Sequence, residues 1–453
     1  MSQSSKRRSG ARVAMFALLA FVWVTTTAGC ASECKRLRAK YHAVVAAEKP
    51  FVKTTDAKAD MPLQFGVAMR DRVLDDIVDR ALAAKLDDAL DFADSVALAS
   101  GKKIAIQTRG KLVDIELHAD GSCPSCLRVE GRLDGTIRAK LPVLPAQTVP
   151  LDGTVTLVAP VVFARTEGGG GALKLDLAQV ARIGKSRIDP RLTRLPATWA
   201  KVLERPLARM VLQAVTSDLN PITLMKYGGP DLGIDGLEVL PAKLVTDAKT
   251  RVIFAGFTSN LAADTGAGLS PRTKLPADRD VAFAVHPSVA VPALIAMLRA
   301  GKLARRYDAH GKADPSGPVR VTIDSLAVAP REGDGGYPFS MGFELWNLPE
   351  SGKCYRANVA ATGTVGVQKT TARVDVEDVE LRDSTLPGVV IALANWANSH
   401  VVEAGQKTIE KSLDRRAFAF PGGAVSLRAA DVDVAPDAIW MTGRVKVGDR
   451  DAK

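Results

Sequence analysis

Residues Leu386 to Val447 read LPGVVIALANWANSHVVEAGQKTIEKSLDRRAFAFPGGAVSLRAADVDVAPDAIWMTGRVKV. Leu393, Trp396, Ala397, His400, Val401 and Ala404 recur at three- and four-residue spacing, which puts them on one face of a helix. Asn395, Asn398, Gln406 and Glu410 fall largely on the other face. Past Arg415 the chain turns through Pro421-Gly422-Gly423 into Val425, Leu427, Val432 and Val434. It turns again at Pro436-Asp437 into Ile439, Met441 and Val445, a hairpin of period two. An echo of this unit runs from Trp199 to Phe257. There Trp199, Val202, Leu203, Pro206, Met210 and Ala214 make the helical face, and Leu237, Val239, Leu244, Val252 and Phe254 supply the strands. Trp199 and Trp396 stand at matching places near the two helix starts, so the chain reads as a duplication.

Each copy closes a longer body. The first opens with Leu63, Phe65 and Val67 as an entry strand. A helical stripe of Val73, Leu74, Ile77, Val78, Ala81, Leu82 and Leu86 follows, opposite Asp75, Asp76, Asp79 and Asp87. Alternating strands come next through Ile104 and Ile106, Val113 to Leu117, Leu127 to Ile137, Val155 to Phe163, and Leu173 to Leu177. The second body repeats the order. Val281, Phe283 and Val285 form its entry strand, and a short helix runs through Val291, Leu294, Ile295 and Leu298, opened by Pro292 and stopped at Gly301. Strands then pass through Val319 to Ile323, Phe339 to Leu345, Tyr355 to Val367, and Val374 and Val376. The alternation slips phase at Ile323–Leu326, Val376–Val379 and Leu427–Val432. One extra residue in an alternating strand marks a bulge, which bends and coils a sheet.

These signals divide the chain into a targeting segment 1–30, a tether 31–60, a first unit 61–261, a linker 262–278, a second unit 279–447 and a tail 448–453; the polar, basic stretch Ser32 to Asp60, broken at Pro50, suits a short helix and a tether. A length of 453 residues suits two medium cores at roughly 100–200 residues per domain. The fold class expected is α+β: two tandem units, each a strongly curved antiparallel sheet wrapped around a long amphipathic helix.

Lys6 to Arg12 is basic, Val13 to Val24 is an apolar core too short to span a bilayer, and Thr27-Ala28-Gly29-Cys30 follows, as in an export signal. The Ala-Gly-Cys ending resembles a bacterial lipobox, which implies acylation of Cys30 as the first mature residue; Thr27 departs from the Leu usual at its place. Ala31 after it implies outer-membrane sorting, with the body in the periplasm or at the cell surface. No later apolar run is long enough to span, so the rest is expected to be soluble. Lys6, Arg7, Arg8 and Arg12 lie in the targeting segment; taking those four charges from the formal +11 leaves +7. That balance has no clustered stripe with stacking aromatics, so it suits a solvated surface or anionic headgroups and not nucleic acid.

Cys34, Cys123, Cys126 and Cys354 remain, an even number that points to disulfides in an exported chain. Cys123-Pro124-Ser125-Cys126 sits at a hairpin tip followed by a strand, where a redox motif would precede a helix, so a local structural bridge is expected. Cys34 and Cys354 are then the other pair, and joining them would pin the tether to the second unit. His118 with Cys123 and Cys126 lacks an evident fourth ligand, and no metal is expected.

Entry strand, helix, meander, long helix and closing hairpin, given twice in one exported chain, resembles the tubular lipid-binding (TULIP) superfamily, in particular its two-barrel members related to bactericidal/permeability-increasing protein. The resemblance spans most of Met61 to Val447, and its nearest signature is Phe420-Pro421-Gly422-Gly423 with Ala435-Pro436-Asp437-Ala438-Ile439. It implies an apolar groove between sheet and helix in each unit, where acyl chains lie. Candidate lining residues are Ile77, Leu82 and Met210 in the first unit and Leu294, Leu393 and Val401 in the second, against the plain reading of each as core.

Catalytic signals are weak. Asp264-Thr265-Gly266-Ala267 matches a short aspartic-protease string without the second carboxylate that chemistry shares a proton with. The five histidines are scattered, and no nucleophile elbow, metalloprotease helix or phosphate loop occurs. The chain therefore reads as a non-enzymatic outer-membrane lipoprotein that binds a lipid or other long apolar molecule without a cofactor. The competing reading is a structural or assembly factor whose barrels are filled by side chains.

Overall fold

The computed structural model describes residues 32–52, 62–76, 91–97, 103–140, 145–165, 171–192, 197–218, 221–227, 236–263, 266, 268–308, 312–330, 336–368, 371–384, 417–420, 423–435 and 437–448. In chain order its elements are helix α1 (32–47), β1 (Phe65–Arg70), helix α2 (71–76), β2 (Phe92–Ala97), β3 (Lys103–Ala119), β4 (Cys126–Lys140), β5 (Gln147–Arg165), β6 (Gly171–Leu175), α3 (Val180–Ile183), β7 (Arg187–Leu192) and α4 (Ala197–Asp218). They continue with β8 (Ile222–Tyr227), β9 (Val239–Asp247), β10 (Val252–Ser259), β11 (Val281–Val285), α5 (Ala290–Arg299), β12 (Arg306–Tyr307), β13 (Val319–Val328), β14 (Tyr337–Asn347), β15 (Tyr355–Gln368), β16 (Thr371–Ser384), β17 (Ala417–Phe420), β18 (Gly423–Ala435) and β19 (Ala438–Gly448). The protein is a mixed α+β structure, mostly strand, with a strongly curled half-barrel sheet.

The strands form three sheets, and the central one draws on both halves of the chain. Its order is β17-β18-β19-β11-β1-β10-β9. The two entry strands β1 and β11 lie antiparallel at its middle, Phe65 opposite Val285 and Val67 opposite Phe283. The hairpin β9–β10 extends the sheet beyond β1, and β18–β19 extends it beyond β11. Strand periodicity divides the side chains between two faces. Met69, Ile253, Ala255, Phe257 and Val281 join the largest core. Ala68, Phe254, Ala282, Ala284, Ala438 and Trp440 pack on the opposite side with Leu63 and Leu269.

Residues 268–278 of the polar connection cross that opposite face. Leu269 is buried and its N–H donates to the Leu63 carbonyl, Arg272 lies 5.3 Å over the Trp440 ring, and Thr273 donates to Asp247. It links β10 to β11 as a packed strap.

The other sheets take one half each: β2-β3-β4-β5-β6-β8, with β7 beside β5, and β12-β13-β14-β15-β16. Each of the three phase slips read in the sequence coincides with a register shift, at Ile323/Ser325, opposite Thr362/Gly363 where Asp378 and Val376 flank an extra residue, and at Ala429/Asp431.

Among the described residues the long amphipathic helix expected of each unit is found once. It is α4, 22 residues long, with Lys201, Arg205, Arg209 and Gln213 exposed along one side and Leu203, Leu207, Val211 and Val215 buried along another. The helix α5 has 10 residues. The helix read from Leu386 lies outside the described residues.

The short helix expected within the N-terminal tether is α1. Residues 32–47 are helical and docked, with Leu37 and Tyr41 buried against Trp346 and Leu348 and with Val44 and Val45 alongside. This stripe of i, i+4, i+7 and i+8 residues covers the outer face of the β13–β15 sheet. Phe51 then bridges to Leu261.

Candidate functional site

The first curled sheet turns one continuous aliphatic surface inward. In β3 the buried positions are even up to Leu112 and odd from Ile115 to Ala119. A bulge between Val113 and Glu116 makes the change, with Asp114 at φ 52°. Without it Asp114, Glu116 and His118 would face inward. The resulting ranks run across β3, β4 and β5 as Thr108–Ile137–Val149, Gly110–Gly135–Leu151, Leu112–Leu133–Gly153 and Leu117–Val129–Leu157. Helix α4 lies along them: Leu203 and Leu207 pack with Ile104, Ile106, Ile137 and Val149, while Val211 and Val215 join the main core. In these ranks the Thr108 hydroxyl is buried without a hydrogen-bond partner.

The second curled sheet makes a similar surface. Its inward ranks are Ile323–Phe343–Val359–Leu381, Leu326–Met341–Ala361–Val379 and Val328–Phe339–Gly363–Val376. Phe339, Phe343, Val359 and Ala361 are buried. The ends of the ranks, Ile323, Leu326, Val328, Val376, Val379 and Leu381, are half-buried, as is Met341. Across these three ranks the surface is four strands wide and apolar.

The candidate residues distribute as follows. Met210 is half-buried on the margin of the α4 stripe, against the cluster around Leu203 and Leu207. Leu294 is half-buried on α5. Ile77, Leu82, Leu393 and Val401 lie outside the described residues, as do Cys30 and Asp264. The inward residues of β13–β16 are legible in the sequence as alternating strands, but helix stripes alone do not point to them. Only the cross-strand register shows that these ranks share one face.

Cys34 is bonded to Cys354 and Cys123 to Cys126. The second bridge closes the turn between β3 and β4. Asp120 accepts from the Ser122 N–H at 2.8 Å and from Arg128 at 2.8 Å, and the Pro124 carbonyl accepts from the Thr246 N–H at 2.7 Å. Cys126 is fully buried, so the turn is a packed joint against β9. Among the described residues no group of three or more His, Cys, Asp or Glu side chains is placed to hold a metal.

A polar cluster stands where the central and first curled sheets meet. The buried Asp71 carboxylate accepts from Arg251 Nε at 2.8 Å, and Arg251 reaches His118 Nδ1 at 3.0 Å. His118 Nε2 is 3.3 Å from Glu116. Asp75 accepts the Leu117 N–H. Burial pushes the Asp75 carboxyl up to about 6, and Asp71 adds to the rise against the Leu117 hydrogen bond and the charges of His118 and Arg251.

No family of known proteins matches the chain by sequence, and no curated protein does so. Among solved structures, a lipopolysaccharide binding protein is similar at 16 % identity and a TM-score of 0.35, covering 85 % of this chain and 99 % of that one. P47 from Clostridium botulinum A2 is similar at 12 % identity and a TM-score of 0.38, covering 84 % and 97 %. P47 of Clostridium botulinum E1 is similar at 10 % identity and a TM-score of 0.35, covering 85 % and 99 %. Together these are a weak resemblance at the level of the fold.

Proposed function

We propose that this protein is a two-unit, TULIP-like envelope lipoprotein, exported by residues 1–30, anchored at the outer membrane through Cys30, and binding lipid or another long apolar molecule without catalysis. The observation that carries the binding reading is the apolar inward face of the second curled sheet, with half-buried ends along β13 and β16. An alkyl chain laid on such a surface gains ~0.8 kcal/mol per buried CH2, enough for a partial acyl chain to bind. The two-unit reading is supported by the central sheet, where β1 with β10 and β9 is matched across the middle by β11 with β19 and β18.

A second reading has its own observation. In the first unit Leu203, Leu207, Val211, Ile104, Leu133 and Leu157 are all buried. That unit is packed with side chains, as in a scaffold.

Native mass spectrometry of the full chain purified from an envelope fraction, followed by lipid extraction, tests the proposal. The expected result is an acyl compound at a defined ratio, lost in a Met341→Trp variant that still unfolds cooperatively. A clean apo mass, unchanged after incubation with phospholipid or lipopolysaccharide vesicles, would overturn binding and leave the scaffold.

A further inference from the structure

The exposed side of α1 carries a charge pattern that helix stability does not explain. Lys35, Arg36, Arg38 and Lys40 lie in its N-terminal half, Lys35 in the first described turn, where the helix dipole favours acids, and Glu33 is the one acid among them. Arg38 is engaged within the fold, donating to the Pro349 and Glu350 carbonyls, and Arg36 pairs with Glu33 at 2.7 Å. Lys35 and Lys40 are exposed. The Cys34–Cys354 bond brings the turn 350–354 alongside and adds the exposed Lys353, with Glu350 as its acid. The rest of the exposed side is Ala39, His42, Ala43, Ala46 and Ala47, with no large apolar group to insert into hydrocarbon.

The far end of α1 is fastened equally firmly. Arg299 donates to the carbonyls of Val45 and Glu48, where the helix dipole is negative, and Glu48 and Arg305 pair at 2.7 Å away from solvent. The helix is therefore a fixed part of the body.

We propose that Lys35, Lys40 and Lys353, with Arg36, form a docking surface for the anionic headgroups of a bilayer, so that the α1 and 350–354 end of the protein faces the membrane. Chain length agrees. Cys30 precedes the bonded Cys34 by four residues, which reach at most about 14 Å. Acyl chains on Cys30 would hold this end, and no other, against the surface. In that one respect the inference rests on the lipoprotein reading; the charges on α1 stand without it.

The experiment is lysine footprinting of the full chain with an amine-reactive reagent. It is done in solution, on phosphatidylcholine vesicles, and on vesicles of equal parts phosphatidylcholine and phosphatidylglycerol. The intact mass of the Cys30 peptide is read from the same sample. On anionic vesicles labelling of Lys35, Lys40 and Lys353 should fall about tenfold. It should recover near 1 M salt, where the Debye length is about 3 Å. Lys103 and Lys140, exposed at the ends of β3 and β4, should label throughout as in solution. Equal labelling of the three lysines on anionic vesicles and in solution overturns the proposal, and so does equal protection on neutral and anionic vesicles in a Cys30→Ser chain, which has no acyl anchor. An unacylated Cys30 overturns the anchor alone, because the footprint is read independently of it.

Discussion

Asp75 sits on a helix turn that the fold presses against β3, and its carboxyl titrates near 6 in place of 3.8. Between those values the folded chain holds a proton that the unfolded chain has released, so stability falls as pH rises through the window and stays lowered above it. An Asp75→Asn chain keeps an acceptor for the Leu117 N–H and removes the buried charge. Thermal unfolding against pH should show the variant melting higher than the parent above pH 6 and losing the parent's slope between 3.8 and about 6. Parallel curves for the two chains would remove Asp75 from the account. The sequence placed Asp75 on the polar side of an amphipathic stripe, because helical spacing records what lies on the helix. It carries no record of His118 and Arg251 arriving from two other parts of the chain.

At the scale of the element, curvature is written into glycines and bulges. A Cβ added at Gly135 would run into the Arg109 carbonyl oxygen, and one at Gly363 would run into that of Asp375. In both curled sheets the neighbouring strand comes too close for a side chain on the inward face. Gly135→Val should cost about 1–3 kcal/mol. It would be read as a lower urea midpoint at unchanged slope, whereas Gly121→Ala, with open space at its Cβ, serves as the unaffected control. Equal midpoints for the two variants would show that the sheet relaxes around the added side chain without loss. Bulges were legible at Ile323–Leu326, Val376–Val379 and Leu427–Val432, because an extra residue breaks an otherwise regular alternation. The bulge in β3 was not. Gly110 and Lys111 separate its two apolar runs, so a single 17-residue strand read as two.

For the molecule as a whole, the two disulfides act on very different lengths of chain. Cys34–Cys354 closes a separation of 320 residues and joins α1 to the β14–β15 turn; Cys123–Cys126 closes a separation of 3. Loop-closure entropy makes the first worth about 2–5 kcal/mol and the second much less. Replacing Cys34 and Cys354 together by Ser should lower the urea midpoint clearly, with the Cys123 and Cys126 pair changed to Ser moving it little. The opposite order would mean that α1 is held by Leu37, Tyr41 and Trp346 alone. The long bond matters because the central sheet already ties the halves together through β1 and β11. The bond and the packing of Leu37 and Tyr41 fasten α1 to the second curled sheet.

What the sequence by itself determined were the local elements: the entry strands β1 and β11, the amphipathic α4, the meanders, the paired closing hairpins and three of the bulges. Period and turn chemistry act between near neighbours and leave their mark in the order of residues. Tertiary structure alone decided that β1 and β11 meet at the centre of a shared sheet, that Leu37 and Tyr41 of α1 pack on Trp346 and Leu348, and that Ile323, Phe343, Val359 and Leu381 form one rank. Each of these joins segments tens to hundreds of residues apart. A pattern of alternation states which side of a strand is apolar, but not which strand lies beside it.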